Sequence, residues 1–211
     1  MQNTVYIITG TTRGFGKEIK DLLLLKQEKV ISINRSDVDL SKPEILVSFL
    51  QSLKQKLKDQ YEDNDLVFIN NAATLGKIGP SSEIDPLEII ETIGTNLISP
   101  LLFCNFLFSL DNNWKYFNIT SGAAKTKNKY LGLYSITKLG LEEYLKFIDL
   151  EISGTNCKGV YNYDPKTIAT KMNQELKENS FFKNEKFQDT IPKGVKIAAK
   201  EFYNFIEKRL I

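Results

Sequence analysis

The chain contains no histidine. This excludes histidine-based catalytic triads, HExxH zinc sites and any histidine general base within it, and no metal-ligand set is expected. Cysteine is nearly as scarce. Cys104 and Cys157 lie far apart and suit neither a disulfide framework nor a CxxC motif, which points to a reducing compartment. The opening Met1-Gln2-Asn3-Thr4 carries no basic region or small-residue cleavage site, so the cytoplasm is the expected location. Charge of one sign is missing too. The 28 Lys+Arg against 26 Asp+Glu leave a net +2, too little to argue for nucleic acid or an anionic membrane as partner. Residues 87–110 are about long enough to cross a bilayer, but Glu88, Glu91, Asn96, Pro100 and Asn105 interrupt them. A lipid-facing helix rejects such residues, so a buried helix is expected and no membrane partner.

What is present fits one globular domain over residues 1–211, with 42% hydrophobic and 26% charged residues. At this length a chain buries about 70% of its unfolded surface and needs no covalent staple. Short apolar runs alternate with helical periodicity. Runs 5–8, 30–33, 66–69, 116–119 and 158–162 read as strands. Helices are expected from the glycine turn to Leu25, from a Ser41 cap with Pro43 and Glu44 to about Gln60, and over 86–110, 133–152, 168–178 and 192–209. Strict alternation with near-continuous apolar strands predicts a doubly wound parallel sheet, covered on both faces, in a Rossmann-like α/β fold.

Between the first strand and first helix stands Thr9-Gly10-Thr11-Thr12-Arg13-Gly14-Phe15-Gly16. Glycines there let the backbone turn tightly and approach a pyrophosphate seated on the helix N-terminus. At the end of the second strand, where an acid would hold the ribose hydroxyls of NAD, the chain has Asn34 followed by Arg35. A guanidinium suits a 2′-phosphate, and Arg13 can reach the same group. Only three arginines exist and two are here, so NADP(H) is the expected cofactor.

The glycine spacing TGxxxGxG, together with Asn70-Asn71-Ala72-Ala73 and Tyr134-Ser135-Ile136-Thr137-Lys138, resembles the short-chain dehydrogenases/reductases of the compact type. The resemblance runs over nearly the whole chain. It implies a catalytic tetrad of Asn96, Ser121, Tyr134 and Lys138: Ser121 lies thirteen residues before Tyr134, at the family spacing. Tyr134 would exchange a proton with the carbonyl or alcohol oxygen, Ser121 bind that oxygen, and Asn96 hold a water relaying protons to Lys138. The lysine charge is expected to draw the phenol below its usual value near 10; two units would need roughly 2.7 kcal/mol. The resemblance places Gly10, Thr12, Arg13, Phe15, Gly16, Asn34, Arg35, Asp39, Leu40, Asn71, Ala72, Tyr134 and Lys138 at the cofactor. It adds Pro165, the backbone near Ile168, and Thr170 from a PG…TxM-like segment in which Lys166 replaces glycine.

Three departures are visible. Asp39 follows the second strand too closely for the family's next helix, so its third strand is expected to be vestigial or absent; its final strand is missing as well. The sheet should then hold about five or six strands. Ala73 stands where the family has glycine. Stretches 70–76, 118–124 and 161–165 resemble the sepiapterin reductase and benzil reductase branch, which implies reduction of a ketone or dicarbonyl group of a small molecule by NADPH. Substrate walls are expected from 74–83 and 166–188. The competing reading is a catalytically silent NADP(H)-binding sensor. The apolar run 101–108 fits a homodimer interface, and it fits burial within one subunit nearly as well.

Overall fold

The structure, a computed structural model, describes residues 3–126, 128–182 and 189–210. Five strands form one parallel sheet in the order β2-β1-β3-β4-β5. They are β1 (Thr4–Thr9), β2 (Lys29–Ile33), β3 (Asp65–Asn70), β4 (Trp114–Ile119) and β5 (Cys157–Tyr163). The chain leaves β1 for β2 on one side and returns to place β3 on the other. That reversal opens a crevice at the carboxyl ends of β1 and β3, where open α/β sheets bind ligands.

Every residue of β1 is buried, because alternate side chains feed two cores. Val5 and Ile7 pack with Phe68, Phe103, Trp114 and Tyr116 beneath α2 (Pro43–Tyr61), α4 (Ser99–Phe108) and α5 (Gly132–Glu151). Tyr6 and Ile8 pack with Phe15, Phe117 and Phe202 beneath α1 (Gly14–Leu25) and α7 (Val195–Leu210). Phe68 sits between Phe103 and Tyr116, with ring centroids 4.7 and 5.0 Å away. Side chains of this size contribute about 1.5–3 kcal/mol each when fully buried.

Four expectations about helices are corrected. Ser41 does not cap α2: its hydroxyl and N–H both donate to Asp39, at 2.8 and 3.1 Å, and Lys42 takes the cap position. A carboxylate two residues away outcompetes the helix for that hydroxyl. The segment 86–110 is not one regular helix. It comprises α3 (Pro86–Ile93), a π-turn at Gly94–Ile98 and α4, which ends at Phe108. Pro100 has no N–H for the carbonyl of Asn96, so the regular ladder is broken there. Ile168 lies outside any helix, in an isolated bridge with Lys193, and α6 (Lys171–Glu178) starts only after Thr170, whose hydroxyl accepts the Asn173 N–H at 3.3 Å. The last helix begins at Val195, not at Pro192.

Among the described residues no strand lies outside β2 or β5, as the short 34–42 connection and the expected loss of the final strand anticipate. The apolar 86–108 segment buries Phe103, Cys104, Phe106 and Leu107 against the sheet, as a core helix does.

Candidate active site

The crevice deepens into a cavity of about 1260 Å³. Pockets that hold one drug-sized ligand span about 300–1,000 Å³, so this cavity is larger than one such ligand requires.

At one end lies the glycine turn. Gly10 has φ +72° and donates its N–H to the Ile33 carbonyl at 2.8 Å; a Cβ on it would stand 3.0 Å from the Ala72 Cα. A Cβ on Gly16 would come within 2.3 Å of the Gly10 carbonyl oxygen and the Asn71 amide. Neighbouring polar side chains hold this turn. The Asn71 amide donates to the Thr9 and Gly10 carbonyls at 3.0 and 2.9 Å. The Thr9 hydroxyl accepts the N–H groups of Asn71 and Ala72, both at 3.0 Å. The Asn34 side-chain oxygen accepts both the N–H and the hydroxyl of Thr11, at 2.8 and 3.0 Å.

Arg13, extended, occupies the N-cap of α1 with no side-chain cap. The first turn of that helix lines the cavity with its N–H groups uncapped by any side chain, as an anion site requires. Thr12, Arg13 and Arg35 are exposed along the rim, and Asn34, Asp39, Leu40 and Ala72 complete this end. The Arg35 guanidinium stands 3.4 Å from the Asp39 carboxylate. Hydrogen bonds from Ser41 hold that carboxyl below its usual range, with a smaller contribution from Arg35. Phe15 supports the turn from below, its ring 5.8 Å from Phe202 in the core. Bare helix N–H groups, a glycine cradle that a Cβ would fill and two arginines at the rim together fit a dinucleotide.

At the other end α5 carries Tyr134 and Lys138 one turn apart, both buried. Ser121 follows β4 and lines the same cavity as Tyr134, its hydroxyl oxygen accepting the Ala123 N–H at 3.2 Å. Burial raises the Tyr134 phenol above its usual value, the nearby Ser121 hydroxyl works against this, and Asp164 adds to it. The direction differs from the lowering expected from the sequence. The Lys138 ammonium donates to the Ile119 carbonyl at 3.0 Å and stands 5.9 Å from the Tyr134 ring centroid, so its charge is not applied to the phenol oxygen alone. Burial also lowers the Lys138 pKa to about 8, opposed by the Glu142 carboxylate.

Asn96 lies in the π-turn. Its amide donates to the Thr74 carbonyl at 2.8 Å and the Thr137 hydroxyl at 3.2 Å, and its oxygen accepts the Thr74 N–H at 2.9 Å. It thus ties the segment after β3 to the residue preceding Lys138. Beyond Tyr134 the walls are apolar, from Leu75, Ala123, Leu131, Met172, Leu176 and Phe182. Pro165, Ile168 and Thr170 line the passage between the two ends. Lys166, in the family's glycine position, keeps a left-handed φ of +63°. Its N–H and ammonium both bond Asp164, each at 2.8 Å.

The sequence-expected residues thus line or support one cavity. Of the expected substrate walls, Thr74 and Leu75 contribute from the first segment; from the second, residues 183–188 lie outside the described residues. Sequence reasoning missed Thr9 and Thr11 as braces of the turn, and the buried Glu142. A glutamate four residues after Lys138 on the same helix face was the available signal for the last.

A doubly wound sheet whose first turn fits a dinucleotide beside a buried tyrosine–lysine pair is the arrangement of nicotinamide-dinucleotide-dependent oxidoreductases. Residues 4–180 match the short chain dehydrogenase family, and the chain belongs to it. It is similar to a Bacillus cereus benzil reductase that forms (S)-benzoin, at 25% identity over 200 residues, spanning 82% of this chain and 79% of the relative. The fold is shared with ligand-free Thermoplasma acidophilum aldohexose dehydrogenase, with a TM-score of 0.77, 18% identity and coverage of 100% and 90% of the two chains. It is shared also with a Burkholderia cenocepacia short chain dehydrogenase bound to NADP, with a TM-score of 0.73, 20% identity and coverage of 98% and 86%.

Proposed function

We propose that the protein is an NADPH-dependent carbonyl reductase acting on a ketone or dicarbonyl group of a small, largely apolar molecule. One observation carries the reading: Ser121 and the buried Tyr134 face one cavity, between its apolar walls and its dinucleotide end. NADPH, when bound, supplies the hydride. Gly10, Thr12, Arg13, Gly16, Asn34 and Arg35 would hold its adenosine and phosphate end, with Asp39, Leu40, Asn71 and Ala72 beside them. Pro165, Ile168 and Thr170 would hold the nicotinamide end. Ser121 donates to the substrate carbonyl oxygen and Tyr134 protonates it. A phenol kept protonated by burial is in the state that reduction needs. Lys138 then returns the proton to Tyr134. The Asn96 side chain is committed to Thr74 and Thr137, so its main-chain carbonyl, which Pro100 cannot engage, is the group available to hold a relay water.

The benzil reductase similarity supports the substrate class, since the walls around Leu131, Met172 and Phe182 suit aryl or alkyl groups. Arg13 and Arg35 support NADPH over NADH. The chain works as one domain in the cytoplasm. A homodimer is supported by two apolar stripes: Leu87, Ile90 and Ile98 on the α3–α4 stretch, and Ile136, Leu139, Phe147 and Leu150 on α5, all exposed.

The test is NADPH oxidation over a panel of diketones, quinones, aldehydes and pterins, with Tyr134→Phe alongside. Turnover should fall about 10²–10⁴-fold in the variant, with NADPH affinity, read by cofactor fluorescence, kept. Equal rates in both proteins would sink the mechanism. Binding without turnover would instead favour the sensor.

A further inference from the structure

Glu142 is a buried carboxylate that the reaction above does not use. It stands one turn beyond Lys138 on α5 and accepts a hydrogen bond from the Thr120 hydroxyl. Thr120 lies between the two residues that matter most at the end of β4. Ile119 before it gives its carbonyl to the Lys138 ammonium, and Ser121 after it lines the cavity with Tyr134. Two successive turns of α5 therefore tie down two successive residues of one segment, once through a cation and once through an anion.

We propose that Glu142 is a positioning residue: held by Thr120, it is the counter-charge that keeps the buried Lys138 protonated and anchors the segment that presents Ser121 to Tyr134. This rests on the reductase reading for its consequence in turnover, though not for its physical content. An isolated ammonium buried in protein is costly, and an opposite charge nearby offsets that cost. Burial lowers the Lys138 pKa and Glu142 opposes it, the direction this role requires. The other charged groups facing the cavity are differently placed: Arg13, Arg35 and Asp39 stand at its dinucleotide end. Asp164 is paired with Lys166, while Glu88 and Glu91 of α3 and Lys171 and Glu175 of α6 line its outer part, all exposed or half-buried. The segment just after β4 and the π-turn contribute Thr120, Ser121 and Asn96, all uncharged. Tyr134 shares the helix.

The direct test is the titration of Lys138 itself, by NMR of protein labelled at the lysine ε-carbon. The resonance is identified by its loss in Lys138→Arg, and spectra are taken without and with NADP⁺. The midpoint in Glu142→Gln should fall by about one unit below that of the native protein, expected at about 8. A midpoint unmoved or raised in the variant overturns the proposal. In the activity assay the alkaline limb of kcat/KM should shift with it, making the variant about fivefold slower at pH 8 by that one-unit shift. If the native protein turns over none of the panel while the midpoint still moves, the reductase reading fails and the Glu142–Lys138 coupling stands. Turnover with an unmoved midpoint does the reverse. Should Glu142→Gln not fold, Thr120→Val removes the donor that steadies the carboxylate. It should lower the midpoint by a smaller amount, with Thr120→Ser restoring it; a Thr120→Val midpoint equal to the native one counts against the proposal.

Discussion

The two ends of the cavity are built on opposite plans. At the glycine turn, polar side chains are spent on the protein's own backbone: Asn34, Asn71 and Thr9 bind main-chain groups of the turn or of its neighbours at 2.8–3.0 Å. Phe15 and the β1 residues below them are buried. Past Tyr134 the wall is carried instead by α6, eight residues long with none buried, and by a loop turning through Lys166 at positive φ. The first plan preorganises a surface for one fixed ligand and keeps its later ordering cost low. The second leaves the wall free to differ in shape, as expected where relatives accept different substrates. The inner edge of that wall, Leu75, Ala123, Leu131 and Phe182, is buried with Tyr134.

The sharpest way to break this contrast is to disturb the rigid end. In Gly16→Ala the new methyl would meet the Gly10 carbonyl and the Asn71 amide at 2.3 Å, neither of which can move without releasing the turn. Overpacking of this kind costs about 1–3 kcal/mol. NADPH affinity by fluorescence titration should therefore weaken by up to about 100-fold, with a lower melting temperature. Unchanged affinity would mean that the turn does not hold the dinucleotide.

A smaller effect is expected at the rim. The Arg35 side chain is 85% exposed and shares its charge with Asp39, so a 2′-phosphate contact there is screened and worth about 1 kcal/mol. Arg35→Ser should weaken NADPH by about fivefold and leave NADH within twofold. An equal loss for both cofactors would show Arg35 acting on the turn and not on the phosphate.

The sequence disclosed the two ends unequally. All five strands were visible as short apolar runs, the inner three buried nearly throughout and the edge strands β2 and β5 only in part, and Tyr134, Lys138 and Ser121 stood out by spacing. The π-turn was hidden because Asn96 and Pro100 sit within uninterrupted helical periodicity, and the widening shows only in backbone bonding. Ser41 misled because a local rule for caps cannot see that Asp39 takes the same hydroxyl. Ile168 and Thr170 have the composition of a helix start, and a contact with Lys193, 25 residues on, keeps Ile168 extended. Asn34 and Asn71 could be assigned to the cofactor end by position, yet a linear string does not tell a ligand contact from a brace. Their hydrogen bonds make them braces first.

The smallest effect sharpens the comparison from the flexible end. Lys166 holds φ +63° without being glycine, at a cost of roughly 1–2 kcal/mol for a side chain in the left-handed region. Its pair with Asp164 is too exposed to offset more than a part of that. Lys166→Gly relieves the strain but loses the pair and adds freedom to the unfolded chain, about 0.4–1 kcal/mol. Denaturant unfolding should find stability changed by less than about 1 kcal/mol. Lys166→Val keeps a side chain at that φ and makes it β-branched, so it should lose about 1–2 kcal/mol. If the passage beside Pro165 depends on the backbone turn, KM should stay near native in the glycine variant and rise in the valine one. If it depends on the Lys166–Asp164 pair, both variants should raise KM alike. The split between them tells whether lysine at the family's glycine position is a tolerated neighbour of the turn or part of how this loop meets its substrate.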